Sequence, residues 1–204
     1  MEQANHENLF RKLHSLSGII PLGIFLTFHL SANYTAVWGE DAYSVTGLIG
    51  KIPYVYLLEI FVIFLPLFFH GIYGAYIAFQ AKNNVTRFQY SKNWFFYFQR
   101  LTGIIAFVFV VWHVWQTKVQ VMTGAAAAPD FNMMAGIVSN PLSLIFYIIG
   151  ILSATYHFTH GIWTFLITWG ITISPKSQKI CQYVTLACFI ILSFIGVRAI
   201  LAFA

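Results

Sequence analysis

The sequence predicts an all-α integral membrane protein of five transmembrane helices, with a four-helix bundle core and a peripheral fifth helix. Three observations carry this prediction. Only 8% of the 204 residues are charged, against about 25% in an ordinary soluble domain. Hydrophobic residues make up 59% of the chain and aromatic residues 19%. Runs without Asp, Glu, Lys or Arg cover 13–39, 60–81, 101–117, 131–175 and 180–197. The 11 basic and 6 acidic residues cannot coat a water-soluble domain of this size. Disorder, a nucleic-acid module and a disulfide scaffold are excluded on the same grounds. We read residues 1–204 as a single domain.

At about 20 residues per span, the runs place helix I at 13–35, II at 54–80, III at 94–119, IV at 141–170 and V at 179–203. The start, MEQANHENLFRKLH, carries Glu2 and Glu7 and has no signal-peptide cleavage pattern, so helix I is expected to stay in the membrane. Pro53 and Pro141 suit helix starts. Pro66 inside helix II predicts a kink. The third run is short, so helix III starts near Trp94 and lets Arg100 reach the interface. Trp38, Trp94, Trp115 and Trp169 fall near helix ends, as an interfacial belt would. Cys181 and Cys188 lie ~10 Å apart along helix V, too far for a disulfide within it, and read as buried apolar residues.

The charges orient the bundle. Arg11 and Lys12 lie in the tail, Lys82, Arg87 and Lys92 in the II–III loop with Arg100 just beyond, and Lys176 and Lys179 in the IV–V loop. The opposite side has Lys51, Lys118 and Arg198 beside Glu40, Asp41 and Asp130. The N-terminus is expected in the cytoplasm and the C-terminus outside.

There are 7 histidines. His6 reads as solvated. Helices I to IV each carry one deep histidine, and an ionisable group in an apolar helix is expensive and marks function. Helical rise puts His29 ~24 Å and His113 ~28 Å along helices running outward, and His70 and His157 ~24 Å along helices running inward. The four therefore fall into two pairs on two levels, His29 with His113 outside and His70 with His157 inside. Two facing neutral imidazoles in an apolar slot suit a bis-histidine b-type haem better than zinc, which wants four clustered ligands. His70 and His157 share a His-x-x-x-Gly spacing with Gly74 and Gly161. A glycine one turn away would let a flat macrocycle approach, although small-residue helix packing uses the same residues. His160 could ligate instead of His157, but the shared spacing favours His157. His14, at the inner edge of helix I, reads as a surface, haem-propionate or quinone contact.

These segments, including RKLHSLSGIIPLGIFLTFHL, LLEIFVIFLPLFFHGIYGAYIAF, NWFFYFQRLTGIIAFVFVVWHVW and FYIIGILSATYHFTHGIWTF, resemble the diheme b558-type cytochrome b subunits of succinate:menaquinone oxidoreductases. The resemblance runs over essentially the whole chain. It implies a five-helix anchor in the bacterial cytoplasmic membrane with two haem b, docking a flavoprotein subunit and an iron–sulfur subunit. It implies axial ligands at His29, His70, His113 and His157. His70 and His157 would hold the inner, high-potential haem, and His29 and His113 the outer, low-potential one. The similar chains carry Asn at position 160, which argues against His160 as a ligand. Electrons would pass from succinate, oxidised on a partner subunit, to menaquinone.

Two quinone sites come into question. Outside, Glu59 is the only acid within the spans and could exchange protons with a quinone; it could instead reach water or pair with Arg198 or Lys51. Inside, LHSLSG (His14, Ser17) and QRLTG (Arg100, Thr102) resemble a quinone-proximal segment of single-haem relatives, but Ser15 stands where they have Arg. Arg11, His14 and Arg100 could equally contact haem propionates. The outer site is preferred. Competing readings are a diheme cytochrome of a hydrogenase, formate dehydrogenase, fumarate reductase or ascorbate-reducible system, and a haem-free transporter. No inverted repeat or pair of broken helices supports the transporter.

Overall fold

A computed structural model of the chain describes residues 2–44, 47 and 52–204. Lys51, one of the two cations considered for Glu59, lies outside the described residues. Among the described residues there are no strands. Among the described residues, five helical segments are long and apolar enough to cross a membrane: span I His6–Trp38, span II Val55–Gln80, span III Ser91–Met122, span IV Pro141–Thr168 and span V Pro175–Leu201. Their outer faces are strongly apolar. Phe79, for instance, is 82% exposed, which water would penalise and lipid would not.

Span I joins α1 (Glu2–Ile19), α2 (Pro21–Asn33) and a 3-10 turn, Tyr34–Trp38. Pro21 stands in the first turn of α2, where a missing N–H costs least. The short α3 (Glu40–Ser44) follows. Span II consists of α4 (Val55–Leu58), a π-helical turn (Glu59–Phe64) and α5 (Leu65–Gln80). The π turn is the form taken by the irregularity expected at Pro66. The proline ring crowds the carbonyl one turn earlier, and widening the ladder relieves the clash. Span III is α6 (Ser91–Val114), a second π turn (Trp115–Val119) and α7 (Gln120–Met122). Trp115 thus lies two turns inside the end of span III rather than at it.

The stretch read as a III–IV loop contains one more helix, α8 (Phe131–Val138), capped by the Asp130 carboxylate accepting from the Met133 N–H. Span IV is α9 (Pro141–Thr168), capped by Asn140. Span V is α10 (Pro175–Leu201), and it starts four residues before the expected 179. The Ser174 side chain and Ser177 form a reciprocal capping box there, with Pro175 in the first turn.

Span V packs against spans IV and I, the peripheral place expected for it. Ser193 and Thr155 share a buried 2.9 Å hydroxyl contact. A Cβ on Gly196 would stand 2.6 Å from Ile151 and 3.1 Å from Leu30, so the missing side chain is what lets three helices meet. At the other end, the Trp163 indole donates to the Gln178 carbonyl at 2.9 Å. The main buried apolar cluster joins Tyr43, Phe109, Met134, Val138, Tyr147, Ile151, Ile200 and Phe203. It lies at the end of the bundle opposite the N-terminus. Trp169 donates to Ser15 at 3.1 Å at the N-terminal end, and Asn132 donates to Glu40 at 3.0 Å at the far end.

Candidate functional site: two facing imidazole pairs

The bundle brings together the histidines that helical rise paired. The His29 and His113 rings face each other at 5.8 Å between centroids and 70° between planes. The His70 and His157 rings do so at 6.0 Å and 80°. An imidazole nitrogen sits about 2 Å from a bound metal and its ring centre about 1 Å further back, so two rings clamping one ion stand about 6 Å apart. Both pairs therefore have the separation of two axial ligands. Among the described residues no group of three His, Cys, Asp or Glu forms a metal cluster. Paired imidazoles at this separation could hold one metal ion between two ligands.

The His70–His157 level is seated on main chain. His70 Nδ1 lies 2.9 Å from the His14 carbonyl oxygen, and His157 Nδ1 lies 3.0 Å from the Gln99 carbonyl oxygen. A carbonyl only accepts, so each Nδ1 carries the proton and each Nε2 keeps its lone pair for a metal. Each seat is cleared by a glycine four residues after its carbonyl. A Cβ on Gly18 would stand 2.4 Å from His70 Cε1, and one on Gly103 would stand 2.8 Å from His157 Cε1. Hydroxyls at the intervening turn bond the same carbonyls, Ser17 to His14 at 2.9 Å and Thr102 to Gln99 at 3.3 Å. The device is built twice, as His14-Ser-Leu-Ser17-Gly18 and Gln99-Arg-Leu-Thr102-Gly103.

Gly74 and Gly161 have other surroundings. A Cβ on Gly74 would meet His14 Nε2 at 2.8 Å, and one on Gly161 would make only an ordinary 3.5 Å contact with Gln99. The glycines that make room for the ligand rings are thus on the neighbouring helices, not one turn along the same helix. His14 stacks on His70 at 4.1 Å and 7°, and its Nε2 is buried without a hydrogen-bond partner. Arg100 bonds the Asn83 side chain, and Arg11 pairs with Glu7 at 2.8 Å. His160 is held by Gln99 and a cluster of aromatic rings. Its Nδ1 meets Gln99 Oε1 at 2.9 Å, and its ring lies among Tyr156, Phe95, Phe96 and Trp163.

The His29–His113 level rests on side chains. His113 Nδ1 contacts the Tyr147 hydroxyl at 3.2 Å, and that hydroxyl donates to Gln116 Oε1 at 3.2 Å. Asn33 donates to the His29 carbonyl at 2.8 Å and stands 3.5 Å from its Nε2. At the same end Glu59 pairs with Lys118 at 2.6 Å, not with Arg198 as considered above. The two residues lie on the two π turns, which widen spans II and III and present these side chains to each other. Lys118, Gln99, Tyr147, Gly18 and Gly103 are the site residues that the sequence reading missed.

This fold and site define a class: a membrane-embedded helical bundle with facing imidazole pairs at two depths. Residues 80–196 match the family of succinate dehydrogenase/fumarate reductase transmembrane subunits. The chain is also 52% identical over 200 residues to the succinate dehydrogenase cytochrome b558 subunit of Bacillus subtilis (strain 168), covering 98% of each chain. The chain belongs to this family of succinate dehydrogenase transmembrane subunits, and within it to the cytochrome b558 kind. A cytochrome b subunit of this kind carries haem b and pairs with the catalytic subunits of the dehydrogenase.

Proposed function

We propose that the chain anchors a flavoprotein subunit and an iron–sulfur subunit at the bacterial cytoplasmic membrane and links them electrically to menaquinone. Succinate oxidation belongs to those partners. The observation that carries this reading is the two imidazole pairs, each about one metal wide, at two depths of one bundle. Two haem b held there supply reversible one-electron transfer across the apolar interior. His70 and His157 hold the haem nearer the partners, and His29 and His113 the one nearer the far face. The protein's own work is orientation: at His70, His157 and His113 a protonated Nδ1 would leave Nε2 free for the metal, and the main-chain and Tyr147 acceptors would raise ligand basicity. The excess of Lys and Arg at the N-terminal end supports a cytoplasmic N-terminus and an external C-terminus.

For the quinone, the far end is the better supported site. At the N-terminal end Ser17 and Thr102 spend their hydroxyls on their own helices, and Arg100 is held by Asn83. The unpartnered His14 Nε2 suits a propionate carboxylate there. At the far end Glu59 offers a carboxylate already bonded to a proton-bearing ammonium, five residues from His113 in span III. That pair can relay a proton to a reduced quinone oxygen. The test is a reduced-minus-oxidised spectrum with a haem-to-protein ratio on the purified complex. Two low-spin b haems per chain are expected; one haem, or none, refutes the two-site reading.

A further inference from the structure

Gln99 makes polar bonds to His157 through both its backbone and its side chain. Its carbonyl takes the His157 Nδ1 proton at 3.0 Å, and its Nε2 donates to the His157 carbonyl at 3.0 Å. Its Oε1 meets His160 Nδ1 at 2.9 Å. An amide oxygen only accepts, so His160 Nδ1 is the donor and His160 Nε2 is unprotonated. That Nε2 is buried without a partner, and the residue is 8% exposed. A buried imidazole with one nitrogen left unpaired is costly. The cost is offset only if the other nitrogen's bond holds something that matters.

The other half of the bundle shows what that is. His14 stands where Gln99 stands, giving its carbonyl to His70, and Tyr73 stands three residues after His70 as His160 does after His157. There the His14 ring stacks on His70 and lies 5.8 Å from Tyr73, with no polar bond between them. So the same seat is locked by ring contact on one side and by an amide bridge on the other. We propose that Gln99 and His160 are positioning residues for His157, the amide fixing the ligand turn of span IV against span III and His160 fixing the amide. His160 acts through Gln99 and does not itself meet the metal.

This inference rests on the haem reading above. The test uses the intact complex in native membranes, with Gln99→Met, His160→Phe and His160→Gln. Gln99→Met keeps the carbonyl seat and removes both side-chain bonds; His160→Gln restores a donor to Oε1. Loss of such an outer contact typically changes metal affinity by about 10–100-fold. Gln99→Met and His160→Phe are expected to shift the low-spin EPR g-value of the haem at the His70–His157 level. They should also shift its reduction equilibrium by about tenfold, about 59 mV for a one-electron couple. The other haem serves as reference and stays put, and His160→Gln returns the signal toward that of the unmutated chain. An unchanged signal, or an equal shift in both haems, overturns the proposal. Complete loss of that haem in His160→Phe but not in Gln99→Met also overturns it, by making His160 the ligand. Absence of haem from the unmutated complex would instead refute the reading beneath it.

Discussion

The two imidazole levels have nearly the same opening, 6.0 Å and 5.8 Å between ring centres, but they are held by different means. At the N-terminal level both Nδ1 protons go to helix carbonyls that no substitution removes. At the far level His113 depends on the Tyr147 hydroxyl, itself oriented by Gln116. A main-chain acceptor makes a fixed seat, vulnerable only to something filling the space in front of it. A side-chain acceptor can be deleted, and its loss is felt as an unmet hydrogen bond. The contrast predicts where each level breaks.

The largest effect should come from the ligands. His29→Ala or His113→Ala should remove the haem of the far level and leave the other, read as a fall from two haems to one per chain. Retention of both low-spin signals in either variant breaks the pairing. Next is Gly18→Ala, whose Cβ would come within 2.4 Å of the His70 ring. Alanine favours a helix over glycine by about 1 kcal/mol, yet forced overpacking costs roughly 1–3 kcal/mol. The net expectation is a lowered melting temperature and partial loss of haem at the N-terminal level alone. Undiminished haem content would show that His70 can move aside.

A smaller effect is expected at Tyr147, which is 2% exposed. Tyr147→Phe leaves His113 Nδ1–H unpaired in an apolar site, at roughly 1–3 kcal/mol. The far haem's spectrum and potential should shift while the other stays fixed; equal shifts would erase the distinction between the levels. The smallest change in haem content is expected from Glu59→Gln. Both partners of that ion pair are about a third exposed, so its stability contribution is about 1 kcal/mol or less. Quinone reduction should fall more than electron transfer to an upstream dye. A parallel fall in both activities would point to assembly rather than proton delivery.

Much of this was legible in the residues. Charge-free runs marked all five spans, and 1.5 Å of rise per residue sorted four histidines into the pairs that the bundle brings together. What rise cannot show is where a helix changes pitch. Lys118 was missed as the partner of Glu59 because two π turns alter which side chains face each other. The seats were missed for another reason. His-x-x-x-Gly looked for room along the ligand's own helix, whereas ring-sized gaps open between helices. The repeat of Ser17-Gly18 in Thr102-Gly103 was visible, but its meaning needed the neighbouring helix. Helix α8 was hidden because a short apolar stretch after an Ala-rich loop has no length to separate it from that loop.

The glycine seats have a genetic consequence. No missense change can delete the acceptor of His70 or His157, because every residue at positions 14 and 99 brings a carbonyl. Every missense change at Gly18 or Gly103, by contrast, adds a Cβ that meets an imidazole ring. Inherited weakness of this level is therefore concentrated at two positions whose side chain is a hydrogen atom, outside any catalogue of ligands. A screen for strains defective in this haem should return those glycine codons alongside those of His70 and His157.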